Sequence, residues 1–577
     1  MVLLRAMAWS CTSASTLGAS SSTLALVVSF SVGLLGLAMV LAKLLPEPLR
    51  PAALSQGHRR RAKRLPLPPG PPGEFLLGHS RVVPFEAPFK KYAEWGVEYD
   101  SDVLYLSAFG QKWIVLNSLK AAVELLDKRG YNYGDRPRFV LWELMGWAPT
   151  LTWLRWGPKM LQHRRALQPP FSRTRAHEYR DAQRREAVRA VASMARRPAA
   201  WGLAARRFAV GVVMEAAYGI EIGGDDDRYV GLSDSAAEAI GNAGPPAGSI
   251  VDMFPMTRFL PSWLPFMERV RYAQKWKPAI ENVTNVPFEA ALSDAKRKVM
   301  KKCFVRERLD IYHENQERGL PNTFTMDDIK GAAATVLIAG SETTATTVKL
   351  FIMYLMQNPR VRRLAQEEID RVLGQDERRP GTAEDKSRGQ QQQPRLPTWG
   401  DLPRLQYLKL VLQEVYRSSP LSPLGIPHAS LEDDEYRGMF IPRGTVVYPN
   451  VWAMNHDRTV YSDPDAFLPE RYLPKERGVS SSSDDALGRG EPFPTGNFGF
   501  GRRVCVGRHM AENSLLIIFA TILATLDIGP PRGPDGRPRD ADVKMSFRGQ
   551  VYPYPFECSL TPRSEAAMRL LDEAAAQ

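Results

Sequence analysis

A cysteine in a glycine-punctuated turn is the most chemically suggestive feature of the chain. It is Cys505, within Phe498-Gly499-Phe500-Gly501-Arg502-Arg503-Val504-Cys505-Val506-Gly507. Gly501 and Gly507 permit tight turns and close approach of the backbone to a flat group. The apolar run that follows, residues 511–526, has the spacing of a helix. We therefore expect Cys505 in a loop that leads into a helix N-terminus.

The surroundings of Cys505 indicate a metal-binding thiolate. Amides at a helix start, together with Arg502 and Arg503, are expected to lower the pKa of the thiol. A thiolate can bind haem iron as an axial ligand, and the arginine two residues before it can pair with a haem carboxylate. A buried structural cysteine is the ordinary interpretation of a cysteine taken alone.

The spacing favours the metal ligand. Every fixed position of Phe-x-x-Gly-x-Arg-x-Cys-x-Gly is filled, by Phe498, Gly501, Arg503, Cys505 and Gly507. The stretch resembles the haem-binding loop of cytochromes P450. Many members have proline after the cysteine, where this chain has valine, but that residue is not a ligand.

A second motif lies in a long helix that the sequence Thr325-Met326-Asp327-Asp328 can cap. Ala339-Gly340-Ser341-Glu342-Thr343-Thr344 could be a surface Ser/Thr-rich turn. It also resembles the oxygen-activation motif of the P450 family. The resemblance implies that Gly340 leaves room for dioxygen, that Thr343 donates a hydrogen bond to iron-bound oxygen, and that Glu342 relays protons.

A third motif consists of Glu414 and Arg417, three residues apart and hence on one helix face. An exposed ion pair is the ordinary explanation and would stabilise little. In the family, Glu-x-x-Arg is buried and is joined by an arginine from a later loop, which implies Arg471 here. The implied role of the three residues is structural.

Two further basic residues are implied to contact the haem carboxylates. Gly157 to Arg165 resembles the family helix that carries Trp-x-x-x-Arg, with Arg164 as the arginine and Met160 in place of the tryptophan. His428 lies where family members often have a basic residue. Three tryptophans, Trp142, Trp147 and Trp153, are either core residues or part of the substrate pocket wall.

The cysteines and the charge limit the class of protein. The chain has 577 residues and a formal charge of +13, which favours anionic partners such as a membrane surface. Four separated cysteines without a CxxC pair argue against a disulfide framework and a zinc site, and fit a reducing compartment. The basic run at residues 58–64 is interpreted as a topology signal beside a membrane span rather than a nucleic-acid patch.

The pattern along the chain predicts its organisation. Residues 1–22 form a lumenal N-terminus, 23–45 a transmembrane anchor, 46–73 a basic and proline-rich linker, and 74–577 the catalytic domain. A cleavable signal peptide is the competing interpretation of the apolar segment, but its positive charge should come first. Residues 376–394 are polar and low in complexity, which predicts a disordered insertion.

The fold expected from the resemblance is a single, mainly α P450 domain with a small β part. Two segments are predicted to be hairpins: 102–116, turning at Gly110, and 439–450, turning at Pro442-Arg443-Gly444.

The activity implied by the resemblance is haem-thiolate monooxygenation with haem b as the cofactor. An apolar substrate and a place in secondary metabolism, similar to fungal members, are part of this expectation. Electrons would come from NADPH through cytochrome P450 reductase, with cytochrome b5 as a further candidate partner. The enzyme would be a single-pass protein of the endoplasmic reticulum membrane. A basic patch is expected to dock the electron donor; it comprises Arg502, Arg503, Arg508, Lys159 and Arg165. Two alternatives stay open, a haem-thiolate isomerase or dehydratase and a non-catalytic haem-binding membrane protein.

Overall fold

The computed structural model describes residues 65–75, 77–147, 150–244, 249–374, 395–474, 488–547 and 549–576. The predicted lumenal segment, anchor, disordered insertion and most of the linker lie outside these residues.

Helices make up most of the described chain. They are α1 Pro88–Glu98, α2 Leu119–Ala122, α3 Val140–Leu144, α4 Pro158–Leu167, α5 Arg180–Arg196, α6 Trp201–Tyr218, α7 Arg228–Gly241, α8 Ile250–Met253, α9 Glu268–Lys296, α10 Phe304–Glu317, α11 Met326–Gln357, α12 Pro359–Leu373, α13 Gln406–Ser418, α14 Val451–Asn455, α15 Arg508–Thr525 and α16 Glu565–Ala576.

Short strands form the β part. They are β1 Val103–Ala108, β2 Gln111–Leu116, β3 His428–Ala429, β4 Asp434–Tyr436, β5 Met439–Ile441, β6 Val446–Pro449, β7 Leu526–Gly529, β8 Met545–Ser546, β9 Tyr552–Pro553 and β10 Ser559–Pro562. The largest sheet has the order β1-β2-β6-β3, and three two-stranded sheets accompany it. The prediction of a mainly α fold with a small β part is confirmed.

One of the two predicted hairpins is confirmed. β1 and β2 pair antiparallel around Gly110, whose φ of 85° suits the turn. The second prediction is wrong, because β5 pairs with β4 through Arg437 and Gly438, which both have positive φ. β6 instead runs parallel to β2, where Val447 is buried in the core.

The 32-residue helix α11 runs through the core, and its start is fixed by polar contacts. The Thr325 hydroxyl accepts from the Asp328 amide, and the Asp328 carboxylate accepts from the Thr325 amide, forming the predicted cap. Asp328 also binds His163 Nε2 at 2.9 Å and Lys159 Nζ at 2.5 Å, both from α4. Although burial opposes it, these donors hold the pKa of Asp328 well below its usual range.

Aromatic and aliphatic packing surrounds α11. The rings of Phe351 on α11 and Phe519 on α15 stack with centroids 3.7 Å apart. α6, α9 and α10 contact other parts of α11. Within the described residues, α11 alone is long and apolar enough to cross a bilayer, but most of it is buried in the protein, as in a core helix.

The 29-residue helix α9 packs across α11, α7 and α3. It contains two internal prolines, Pro278 and Pro287. Proline has no amide hydrogen and crowds the preceding turn, so each one weakens the helix locally.

Candidate functional site

The Cys505 loop is a tight backbone structure. The Cys505 amide donates to the Phe498 carbonyl at 2.8 Å, and α15 begins three residues after Cys505. Gly501 has a φ of 51°, and a Cβ there would lie 2.1 Å from the carbonyl oxygen of Leu126. Gly507 lies with its Cβ position 3.9 Å from the Cys505 sulfur. Gly501 therefore permits the tight turn of the loop. Gly507 lies close to the sulfur and adds no side chain beside it.

Cys505 combines open surface with close protein surroundings. Its side chain has open surface. Burial nevertheless raises the pKa of its thiol, outweighing the amides of Gly507 and Arg508 and the charge of Arg508. Both observations hold when the sulfur points into a space enclosed by protein. The expectation that the surrounding protein groups lower the pKa of Cys505 is wrong. The loss of solvent around the thiol has a larger effect than the nearby amides and arginines.

Buried cations lie next to the loop. The Arg503 guanidinium donates to the carbonyls of Gly134 at 2.7 Å and Leu154 at 2.8 Å. Arg136 donates to the carbonyls of Pro427 at 2.8 Å and of other loop residues. Burial lowers the pKa of Arg503 to about 10 and that of Arg136 well below its usual value, where the Arg503 charge also contributes.

The two guanidiniums have no carboxylate partner among the described contacts. The adjacent Asp135 is bound by Arg155 and by the Trp156 amide. A buried cation without an anion is costly. The cluster therefore has an excess of positive charge that suits a bound anion. Arg136 was missed in the sequence, where Tyr133 to Pro137 has the appearance of an ordinary turn.

Arg164 lies beside the cysteine loop. Its guanidinium donates to the Val504 carbonyl at 2.8 Å, and its pKa is lowered by burial, against the opposing charge of Cys505. Met160, one turn before it, is fully buried in the core. A thioether cannot donate a hydrogen bond, so this position contributes packing alone.

His428 is buried and bonded to the protein. Its Nδ1 lies 2.8 Å from the Tyr133 carbonyl, so Nδ1 carries the hydrogen. Burial, reinforced by the charge of Arg136, lowers its pKa well below the usual value. His428 is therefore a neutral imidazole, and an adjacent anion would be needed to charge it. Its predicted contact with a haem carboxylate stays a prediction.

Thr343 lies on a stripe of α11 that has open surface. Ala339 is exposed although its helix is mostly buried, and the Thr343 hydroxyl donates to the Ala339 carbonyl at 2.8 Å. Residues four apart share a helix face. Ala339 and Thr343 therefore form an incompletely buried stripe near the middle of the helix.

Gly340 faces another way. A Cβ at this residue would lie 2.6 Å from Val213 Cγ1 of α6. The expectation that Gly340 opens space for dioxygen is corrected by this geometry. The missing side chain lets α6 and α11 pack closely, and Ala339 is the small residue on the open stripe.

Glu342 is part of a charge network between three helices. It pairs with Arg206 of α6 and accepts from the Thr346 hydroxyl at 3.1 Å. Arg206 Nε also lies 2.8 Å from Asp234 Oδ1 of α7, whose side chain is partly exposed. Arg206 is a functional candidate that sequence motifs did not reveal, since it is distant in the chain.

The structure brings Glu414, Arg417 and Arg471 together. Arg417 donates to both Glu414 oxygens, at 2.8 and 2.9 Å, and Arg471 Nε donates to Oε1 at 3.1 Å. All three side chains are completely buried. The Tyr472 hydroxyl donates to the same carboxylate at 2.7 Å. An exposed ion pair is thereby excluded, and this cluster joins α13 to the Pro469–Tyr472 segment.

The predicted docking patch is only partly available at the surface. Arg503 is buried and bonded to carbonyls, so it cannot contact a partner. Lys159 pairs with Asp328. Arg502 is exposed and lies over the Trp156 ring at 5.6 Å, and Arg165 is exposed as well.

Further cations extend this surface. A depression of about 280 Å³ is lined by Arg173, His177, Arg180 and His509 together with Glu512 and Asn513 of α15. The charges of Arg508 and Arg173 are close enough to lower the pKa of His509, after burial as the main cause. We call Arg165, Arg173, Arg180, Arg502 and Arg508 the cationic surface.

Comparison with known proteins identifies the family. The family model described as cytochrome P450 matches residues 68–551. The chain belongs to the cytochrome P450 family.

Curated relatives are similar over most of their length. A cytochrome P450 monooxygenase of Armillaria gallica is 31% identical over 88% of this chain and 94% of that protein. The tryptamine 4-monooxygenase of Psilocybe cyanescens is 32% identical over 89% and 96%, respectively. Cytochrome P450 monooxygenase 176 of Postia placenta is 32% identical over 89% and 94%. The predicted family and enzyme class are confirmed: the chain is a P450 monooxygenase.

The site fits the haem that the family carries with a cysteine thiolate ligand. A cysteine with open surface inside the protein suits an axial ligand. The positive charge of Arg136 and Arg503 would suit the two haem carboxylates.

Proposed function

We propose that this P450 inserts one oxygen atom of O₂ into an apolar organic substrate, with Cys505 as the thiolate ligand of haem b. The observation that carries the proposal is the open surface of Cys505 beside buried guanidiniums that have no carboxylate partner among the described residues. Cys303 and Cys558 are less suitable, because the first is buried and the second only partly exposed, whereas Cys505 is exposed. Cys303 also caps α10.

The proposed roles around the haem follow from the contacts. The iron cation would offset the burial that disfavours the Cys505 thiolate. Arg503 and Arg136, with Arg164 and His428 nearby, would hold the carboxylates. When bound, haem supplies an iron that activates dioxygen. Phe498, Gly501 and Gly507 fix the backbone that presents the sulfur.

Proton handling is assigned to α11. Thr343 lies on the open stripe and would orient a proton towards oxygen. Glu342 would pass protons inward from the solvent side, where Arg206 links it to Asp234. Glu414, Arg417 and Arg471 act as a structural cluster that keeps the cysteine loop in position.

Electrons would come from NADPH through cytochrome P450 reductase docked on the cationic surface, with cytochrome b5 as a second candidate. Arg508 belongs to that surface and donates to the Cys505 carbonyl at 2.9 Å. An acidic partner bound there would therefore sit directly behind the iron ligand. Charge complementarity of this kind accelerates the encounter of the two proteins. High salt screens the charges and therefore weakens the binding.

The endoplasmic reticulum membrane is the proposed location, with residues 23–45 as the anchor and the catalytic domain, from residue 74, in the cytosol. The described surface supports a membrane contact. Met256, Phe259 and Trp263 are 68%, 69% and 74% exposed, within eight residues. Such a cluster of exposed apolar side chains marks a site of interaction.

An apolar substrate is supported by aromatic residues beside the site. Phe139, Trp142, Trp147 and Trp153 line a cavity of about 190 Å³. The carbonyl of Leu154, which also lines it, accepts from Arg503. One relative is named for the oxidation of tryptamine, and on that similarity we include secondary metabolism in the proposal.

The ferrous–CO absorption spectrum tests the proposal. We expect the red-shifted Soret band of a thiolate complex, and its loss in Cys505→Ala. Oxygen consumption that depends on NADPH and reductase separates a monooxygenase from a haem-thiolate isomerase. Wild-type protein that binds haem without the red shift would overturn the assignment of Cys505.

A further inference from the structure

An ion pair joins the exposed apolar segment to the wall of the tryptophan-lined cavity. Glu143, on α3, lines this cavity of about 190 Å³ together with Trp142 and Trp147. Its Oε2 atom lies 3.5 Å from Nη1 of Arg258, which belongs to the turn Pro255–Phe259. Both side chains of the pair are partly exposed. The segment that would touch the membrane is therefore linked directly to the cavity wall.

A second, buried contact joins the same two segments. The Asp252 carboxylate of α8 accepts from the Leu141 amide of α3 at 3.0 Å. The Asp252 carbonyl also accepts from the Gln111 side chain of β2 at 3.0 Å. A buried hydrogen bond to a carboxylate stabilises more than an exposed ion pair does. The Asp252 contact can therefore hold the two segments together while the Arg258 contact breaks.

Breaking the ion pair leaves Glu143 with a partner. Its two carboxylate oxygens accept from Arg138 at 2.7 and 2.8 Å. Arg258 has no second carboxylate partner among the described residues, and its guanidinium lies over the Phe259 ring at 4.8 Å. A new anion near this turn would therefore take Arg258 from Glu143 at little cost to the carboxylate.

The surroundings of Arg258 indicate which anion fits. The neighbouring side chains of Met256, Phe259 and Trp263 are apolar and exposed. A cation among exposed apolar groups matches the boundary of a bilayer, where the apolar groups enter the acyl region and the charge stays among the headgroups. An anionic membrane surface attracts a basic side chain about as strongly as an exposed carboxylate partner does. An anionic phospholipid can therefore compete with Glu143 for Arg258.

We propose that Arg258 binds the headgroup of an anionic phospholipid and thereby releases Glu143, which opens the tryptophan-lined cavity to substrate from the bilayer. This inference rests on the proposed function, since it needs both the membrane contact and an apolar substrate. Leu141 stays tethered to Asp252 while the part of α3 that carries Glu143 moves away from the turn. Substrate entry then responds to the charge of the membrane.

Hydrogen exchange tests the release of α3. Full-length, haem-loaded protein is reconstituted in phosphatidylcholine vesicles with or without phosphatidylserine. We expect the amides of residues 138–147 to exchange about three- to fivefold faster with phosphatidylserine, a size that matches the loss of one exposed ion pair. Inorganic phosphate added to phosphatidylcholine vesicles should leave the exchange unchanged. An equal acceleration by free phosphate would overturn the assignment to a lipid.

Arg258→Gln removes both the ion pair and the lipid contact, and it leaves Arg138 bound to Glu143. Its exchange should be fast in both kinds of vesicle. Lys275→Gln is the matched control, because it removes one positive charge from an exposed side chain of α9 that lies over the Trp276 ring at 5.4 Å. It should keep the lipid dependence of the wild type. If Arg258→Gln kept that dependence too, the lipid would act elsewhere and the proposal would be wrong.

The rate of substrate entry is the second measurement. After mixing with an apolar ligand, the haem absorption of the wild type should change about three- to fivefold faster with phosphatidylserine, and that of Arg258→Gln should be fast with either lipid.

The possible failures are distinguishable. A wild type without the thiolate-type ferrous–CO band would overturn the proposed function. A normal band without quenching of Trp263 by brominated lipid would overturn the membrane contact, and this inference with it. A normal band and a quenched Trp263, with an entry rate that does not depend on phosphatidylserine, would overturn this inference alone.

Discussion

Thr343 is bonded to its own helix in the structure. Its hydroxyl donates to the Ala339 carbonyl, and it must leave this acceptor in order to donate to oxygen. For Thr343→Ala we expect haem to remain bound, while product per NADPH falls roughly tenfold and peroxide rises, because a positioned proton donor is lost. Peroxide and product are measured together. Thr347→Ala removes the same kind of bond one turn later and should stay coupled; equal uncoupling in both would contradict a special role for Thr343.

Arg206 determines where the Glu342 carboxylate lies. Removing it in Arg206→Gln frees Glu342 from α6 and breaks its link to Asp234. We expect about tenfold slower turnover and a larger solvent isotope effect, because proton transfer becomes rate-limiting. The measurement is turnover in H₂O and D₂O. Arg206→Lys keeps the charge and should recover most of the rate, whereas an unchanged isotope effect in Arg206→Gln would argue against proton delivery through this network.

The packing of α6 against α11 depends on one missing side chain. In Gly340→Ala the new methyl group would lie 2.6 Å from Val213 Cγ1, so either the Val213 side chain or the two helices must shift. We expect a loss of about 1–3 kcal/mol in the free energy of unfolding, as is typical of overpacked cores. Denaturant unfolding provides the value. Adding Val213→Ala should restore part of the loss, and a double variant as unstable as the single one would contradict the steric explanation.

Motifs with fixed spacing made much of the site predictable. The Cys505 loop, the α11 cap and the Glu414–Arg417 pair each lie within a few residues, so local geometry determines them. Contacts between distant segments were not predictable. Arg206 meets Glu342 across 136 positions, and β6 meets β2 rather than β5. The direction in which Gly340 faces, and the effect of burial on Cys505, also depend on tertiary packing.

The cationic surface should control electron delivery to the whole molecule. Charge reversal in Arg502→Glu and Arg508→Glu should slow association with the reductase about tenfold or more at low salt, with a smaller effect at high salt. Stopped-flow reduction at several salt concentrations measures this. Arg318→Glu at the end of α10 is the control. If all three variants slowed equally, net charge rather than a docking site would be responsible.

A membrane contact would also involve the surface of the whole molecule. Trp263 is exposed in the segment that follows Phe254, which contacts Phe109 of the β1–β2 turn. In full-length protein reconstituted in vesicles, brominated lipid should quench the fluorescence that Trp263→Phe removes, because the proposed contact would place the indole in the acyl region. Trp399→Phe is the control. Brominated lipid should not quench the part of the fluorescence that this substitution removes. No quenching of the Trp263 component would show that this segment stays in water.

The long helix α9 is weakened at two points nine residues apart. Pro278 and Pro287 leave the carbonyls of Gln274 and Val283 without their usual helical donors. The helix covers α11, so the segments on either side of each proline can bend separately instead of lifting as one rod. Amide hydrogens around these prolines should exchange faster than those of α11. Local bending of α9 at its two prolines would then control how substrates enter the site. The rate of product release would depend on how often the helix bends.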